Sequence, residues 1–318
     1  MTYRDYKSFW DIFLNKWLRN HDDFILNDPE GQAFFPKDSG GKYINADLYA
    51  NITCMPEPYY FGRDFLNATD WSDFKDAIVV LDLNPGMSHE KEDRKKKGDD
   101  HPHDILDALA KGSYSTKINS TDYSPFMCNS EDSTIPGVTW WKSKRLAWFS
   151  RFLSMGNVRE KMFALELCPF HSKSWNVKLS PAAINFIRDK VLAPAAEILC
   201  CKGNSRLGYC FGKDWETIFD TFGFEIEAQW GVDYDCTEKT FVYPVHIHKN
   251  VEEVKSKWPK KDGVELNRIY KLYKGNIEGK TLYFLCLRAS GTFAAPGKDF
   301  EEVEKLIRED LNFCGVSL

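Results

Sequence analysis

No stretch of this chain approaches the roughly 20 consecutive apolar residues that a membrane helix needs, so no spanning segment is expected. The opening MTYRDYKSFW lacks the apolar core of a secretory signal. Cysteine occurs nine times but never as a CxxC pair, which argues against a zinc ribbon or a thiolate-ligated cluster. An odd, irregularly spaced set of cysteines fits reduced thiols and points to the cytoplasm. There is no internal repeat and no low-complexity tract. Positive charge is in deficit: 42 Lys and Arg face 47 Asp and Glu, for a net charge of -5. That argues against a molecule coated in basic surface. A local basic stripe would still be enough for phosphate contacts.

The chain that remains is ordinary for a globular protein, with 318 residues, 43% hydrophobic and 28% charged. Its most informative segment is Ala77–Ser88, AIVVLDLNPGMS. The apolar run reads as a buried central strand, and Asn84-Pro85-Gly86 then turns the chain at the strand's carboxyl end. In open α/β sheets ligands sit at that end, although Asn, Pro and Gly are also the common residues of any βα loop.

Periodicity predicts an amphipathic helix over Tyr6–Asn20, carrying Trp10, Phe13, Leu14, Trp17 and Leu18 on one face. A Gly/Pro/Asp-rich connection follows, then a strand at Ala77–Leu83 and a polar, irregular region over 89–139. A helix at Ser143–Ser154, a strand at Lys161–Cys168 and a helix opened by Ser180-Pro181 come next. Ala195–Cys201 and Leu207–Phe211 bracket a third strand region, and Lys213–Thr221 reads as a helix. Charged, weakly patterned residues at about 231–279 read as an insertion before a last strand, Thr281–Leu287, and a closing helix, Phe300–Leu311. Alternating strands and helices imply an α/β fold: a three-layer α/β/α sandwich with a central, mostly parallel sheet. Residues 1–50 read as a helical extension and 51–318 as the α/β domain.

Three basic stretches stand out: Arg94–Lys97; Lys142, Lys144, Arg145 and Arg151; and Lys255–Lys261. A solvated face is the ordinary reading of each. Lys142, Lys144 and Arg145 are the best placed for phosphate, on a helix that follows the Asn-Pro-Gly strand in sequence. His101 and His103 read as surface residues, and nothing else supports a metal site.

In three ordered blocks the chain resembles the uracil-DNA glycosylase superfamily, as a divergent member nearest its single-strand-selective and mismatch-specific branches. The first block is LDLNPG, residues 81–86. The second runs from WWKSKRLAWFSRF, 140–152, to MFALELCPFHS, 162–172. The third, LCLRASGTFAAPG at 285–297, stands where those relatives carry His-Pro-Ser. MPEPYYFG, 55–62, also resembles a segment of bacterial relatives.

The resemblance implies an enzyme that extrudes a base from nucleic acid, reads its edge in a pocket and hydrolyses the N-glycosidic bond. Asn84 would position the attacking water and Gly86 would allow close backbone approach. Phe126, or failing it Tyr123, would stack on the base. No cofactor is implied, and the partner is nucleic acid, taken as DNA with a single-stranded or flipped base. A monomer is expected.

Two blocks depart from the pattern. Glu166 stands where active relatives place the Asn that reads uracil, and an ionised carboxylate only accepts hydrogen bonds. It suits an edge of adjacent donors, or it pairs with a nearby Arg or Lys. Arg288-Ala289-Ser290 replaces His-Pro-Ser, which assigns Arg288 to stabilising the leaving base and Ser290 to phosphate, with His171 as a partial substitute for the missing His. Two readings follow: a glycosylase of altered base preference with poor uracil activity, or a catalytically inactive nucleic-acid- or nucleotide-binding module.

Overall fold

The computed structural model describes residues 1–52, 54–83, 126, 140–141, 145–146, 149, 158–172, 176–201, 206–235, 240–242, 246–247 and 268–289. Helix α1, Tyr3–Arg19, begins three residues before the predicted start because Thr2 caps it. The Thr2 hydroxyl accepts from the Asp5 amide at 3.1 Å, and the Asp5 carboxylate accepts from the Thr2 amide at 3.2 Å. This reciprocal box satisfies two of the amides that every helix start leaves unpaired. Tyr3, Tyr6, Trp10, Phe13, Leu14 and Trp17 recur at three- and four-residue spacing, and all are buried.

The segment read as a connection after α1 is helical in two places, α2 at His21–Asn27 and α3 at Pro29–Phe34. Asp28 caps α3 through the Glu30 amide with Pro29 at the first position, the same signature that opens a later helix at Ser180-Pro181. Gly31 sits where a β-carbon would come within 2.2 Å of the Phe24 carbonyl oxygen, so α2 and α3 can cross this closely only at glycine. A short α4, Ala46–Ala50, completes the group.

The strands are β1 Tyr59–Phe61, β2 Ile78–Asp82, β3 Met162–Glu166, β4 Leu207–Phe211, β5 Glu225–Asp235, β6 Thr240–Val242, β7 His246–Ile247, β8 Arg268–Ile277 and β9 Lys280–Ala289. They form one sheet in the order β1-β3-β2-β4-β9-β8-β5-β6, with β7 also on β5. The chain is therefore an α/β protein, and its sheet is mixed. The four central strands, β3, β2, β4 and β9, run parallel, whereas β1 and the whole β9-β8-β5 side pair antiparallel. The expectation of a mostly parallel sheet holds for this centre and not for the flanks.

Two assignments are corrected. Ala193–Cys201 is a helix, α6, and not a strand; it follows α5, Pro181–Ile187, through a wide turn at Arg188–Leu192. Its Ala, Glu and Leu content favours helix, and burial on nearly every side gave it the look of a core strand. The 231–279 stretch is not wholly outside the sheet, since β8 lies within it and pairs with β9 along ten residues. A two-residue turn joins them, with Glu278 and Gly279 at φ 51° and 81°, the left-handed pair that a tight hairpin requires.

Alternation along the strands divides the sheet into two faces. Val79, Leu81, Phe163, Leu165, Cys210, Phe284 and Cys286 lie in one core with the buried stripes of α1 to α6 and of α7, Asp214–Thr221. Residues read as an N-terminal extension thus share the main core: Tyr6 stands 5.2 Å from Tyr59 ring to ring, and the Trp17 indole donates to the Ile52 carbonyl at 2.8 Å. The opposite face is a smaller core of Tyr60, Ile78, Val80, Met162, Ala164, Leu207, Tyr209, Phe211 and Leu285 under Phe126, Trp141 and Phe149. Among the described residues no helix is long and apolar enough to cross a membrane.

Candidate functional site

The central strands set the position of the site. Moving from β2 to β3 goes one way along the sheet, and the next parallel strand, β4, lies on the other side of β2. The crevice outside the carboxyl ends of β2 and β4 is therefore a topological switch point, where doubly wound sheets bind ligands.

Two buried carboxylates end these strands. Asp82 closes β2 and Glu166 closes β3, and the two are partners in the parallel register. They are 6% and 5% exposed. Ile78 and Val80, with Met162 and Ala164, face the smaller core, so period-two alternation carries Asp82 and Glu166 to that same face.

Arg145 meets Asp82 side-on. Its Nε donates to Oδ2 at 2.9 Å and its Nη2 to Oδ1 at 3.1 Å. The guanidinium carbon lies 4.5 Å from the Trp140 ring centre and 4.0 Å from that of Phe211. Asp82 also accepts from the Leu83 amide at 3.0 Å, and its carbonyl accepts from the Trp215 indole at 3.2 Å and the Leu167 amide at 3.0 Å. One residue thus links β2, the end of β3, α7 and the Trp140–Phe149 region. Desolvation offsets most of the attraction in such a buried pair, so its main effect is geometric: it fixes the plane and edge of the guanidinium.

A second polar group flanks Glu166 at the outer edge. The Glu57 amide donates to the Pro169 carbonyl at 2.8 Å, and the Glu166 amide donates to the Pro58 carbonyl at 3.0 Å. His171, fully buried, places Nε2 at 2.9 Å from the Met55 carbonyl and 3.4 Å from a Glu57 oxygen, while the Tyr60 hydroxyl donates to Glu57. A carbonyl can only accept, so Nε2 carries a proton. Burial pushes the Cys168 thiol well above its ordinary range, with Glu166 adding to the shift, so Cys168 is a packed thiol and not a nucleophile.

Of the sequence-predicted residues, Glu166 and His171 lie at this edge, and Arg145 is turned inward onto Asp82 instead of standing in an exposed basic stripe. Phe126 is enclosed at 0% exposure, edge-on to Trp141 at 4.8 Å and to Tyr60 at 6.2 Å, with its carbonyl accepting from Arg159. Arg288 lies near the carboxyl end of β9, paired with Ile269 and one residue past Leu287, which is level with Phe211; its side chain lies outside the described residues. Asn84, Gly86, Tyr123, Lys142, Lys144 and Ser290 also lie outside them, as do His101 and His103. Asp82, Glu57 and the ring pair Trp140–Phe211 were not singled out from sequence. A lone carboxylate ending the run AIVVLD, and a lone arginine between Trp141 and Phe149, were the available signals.

Among the described residues no group of three or more His, Cys, Asp or Glu is arranged to hold a metal ion. What the edge offers is a pair of buried acceptors, one oriented cation and flat aromatic walls. No family model, curated protein or solved structure matches the chain.

Proposed function

We propose that this chain is a nucleobase-glycosylase-like protein, a three-layer sandwich of the uracil-DNA glycosylase type that hydrolyses the N-glycosidic bond of a base in DNA. The observation that carries the reading is Glu166, a buried carboxylate ending a central parallel strand, level with Asp82 and beside the switch point. Asn84, two residues beyond Asp82, takes the role of orienting water, and Glu166 reads the edge of the extruded base. Carboxylates at this edge also favour the positive charge that builds on the sugar as the bond breaks.

Glu166 works against uracil, because an anion placed beside the O4 carbonyl offers no donor to it. A mismatch of that kind discriminates by about 10⁴-fold or more. The test is incubation with oligonucleotides carrying uracil, hypoxanthine, xanthine or alkylated bases, followed by cleavage at abasic sites. Abasic sites are expected from a base whose edge presents donors, with little or none from uracil. Release of uracil as the best substrate would overturn the assignment of Glu166. Glu166→Asn combined with Arg288→His should raise uracil release above the parent's.

The acidity of the edge also favours a second reading. Asp82 and Glu166 oppose negative charge on a leaving base, as suits a binding module that holds a base without releasing it. Binding without abasic sites would select this reading.

A further inference from the structure

We propose that Arg145 donates to the O6 oxygen of a guanine base, with the Glu166 carboxylate accepting from the adjacent N1–H and N2 amine. The inference rests on the nucleobase reading above and names its ligand.

A guanidinium carries five N–H donors in a rigid planar fork. Asp82 takes the Nε edge of Arg145, and the Trp140 and Phe211 rings lie 4.5 Å and 4.0 Å from its guanidinium carbon. Nη1 remains: it is buried, and among the described residues it has no hydrogen-bond partner. An unpaired buried donor costs about 1–3 kcal/mol, and more on a charged group. In a side chain so tightly held, it marks the place of a missing acceptor. Guanidinium N–H bonds lie in the plane of the fork, so that acceptor lies in this plane, on the edge turned away from Asp82.

Charge selects the kind of acceptor. Asp82 already neutralises Arg145, and Glu166 stands level with Asp82 on the same sheet face. Two carboxylates and one guanidinium leave the group negative, which disfavours phosphate and favours a neutral oxygen that has donors beside it. A carboxylate accepts at about four lone-pair positions, so Glu166 can take two donors alongside an existing contact. Acceptor, donor, donor is the order along the guanine edge. Adenine reverses the first two positions. Hypoxanthine lacks the third, and uracil sets a second carbonyl against the carboxylate.

The experiment is equilibrium binding of guanosine, inosine, uridine and adenosine to the full chain, with inorganic phosphate as competitor. One good bidentate pair discriminates by about 1–3 kcal/mol. Guanosine should therefore bind about 5- to 150-fold tighter than inosine or uridine, and adenosine should be weakest. Asp82→Asn with Arg145→Gln replaces the ion pair by a neutral amide pair of similar size and should weaken guanosine about tenfold or more at an unchanged fold by circular dichroism. Equal binding of the four nucleosides, no binding of guanosine, displacement of guanosine by phosphate, or an unaffected folded double variant would each overturn the proposal. If the variant fails to fold, the nucleoside series on the parent protein decides alone. Guanosine binding without base release from any oligonucleotide would remove the glycosylase reading and leave this one. Base release without guanosine binding would do the reverse.

Discussion

The two faces of the sheet are built from different chemistry. On the helical face, α1 to α7 bury tryptophans, tyrosines and phenylalanines against β2, β3, β4 and β9, with some rings edge-on, as Tyr3 and Phe74 at 4.9 Å, and others stacked, as Tyr59 and Phe163 at 5.9 Å. The opposite face is smaller, and its margin carries an enclosed ion pair, Asp82–Arg145, beside the buried Glu166. Apolar packing has no preferred edge and gains with every added contact. An oriented carboxylate–guanidinium pair contributes little net stability but fixes directions. The helical face therefore holds the fold, and the charged margin holds the geometry that a ligand reads.

The largest effect that would sharpen this contrast is at Trp17, fully buried, with its indole on the Ile52 carbonyl. Trp17→Ala should lower unfolding free energy by about 3–5 kcal/mol, read by urea denaturation. It should not alter the relative affinities for the four nucleosides in whatever fraction stays folded. A changed nucleoside preference would mean that the two faces are not separable.

Asp82→Ala comes next. It leaves the Arg145 cation buried without its partner and should cost about 3 kcal/mol, the low end of the range for breaking such a pair, because the Trp140 and Phe211 contacts persist. Asp82→Leu with Arg145→Met should recover most of that loss while abolishing guanosine binding. If the apolar pair stayed as unstable as Asp82→Ala, the ion pair would belong with the stabilising elements.

A smaller effect is expected at Ser180, whose hydroxyl accepts from the Ala183 amide at 3.0 Å and donates to the Ala33 carbonyl at 2.7 Å. Ser180→Ala should cost about 0.5–2 kcal/mol by thermal denaturation and leave binding untouched.

The smallest effect concerns acid. The amides of Thr69 and Asp70 hold the exposed Asp73 carboxyl below its ordinary 3.8. A folded value below the unfolded one contributes stability above about pH 4 that is lost as pH falls through the folded value. Asp73→Asn should therefore lower the melting temperature slightly at neutrality and flatten its fall between about pH 5 and pH 2.

How far sequence carried the fold depended on how local the signal was. Ser180-Pro181 announced α5 because cap and first-turn proline act within four residues. Asp28-Pro29 carries the same signal for α3, but in a stretch rich in Gly and Pro it read as connection. Ala193–Cys201 failed for a different reason: a helix buried on most sides has no polar stripe to show its period. RIYKLYKGNI carries the isoleucines and tyrosines that favour a strand, and the Glu278-Gly279 turn beyond marks a hairpin, yet surrounding charge masked it. At the site, Glu166 was legible from its place at the end of a strand. The pairing of Asp82 with Arg145 was not, because 63 positions separate them and only the sheet brings them together.

The parallel centre has a consequence for the order in which the chain can be completed during its synthesis. β2, β3 and β4 can associate once residue 211 has emerged, but the free side of β4 is covered only by β9, which ends at Ala289. Roughly eighty residues must still be added, on the order of 4–16 seconds at about 5–20 residues per second. Through that interval LGYCF, an apolar and almost uncharged segment, presents open backbone groups to any extended chain nearby. The nascent protein is thus most exposed to wrong pairing late, after the helical face is already built. Slowing translation between 211 and 289 should raise the misfolded yield more than the same delay placed earlier.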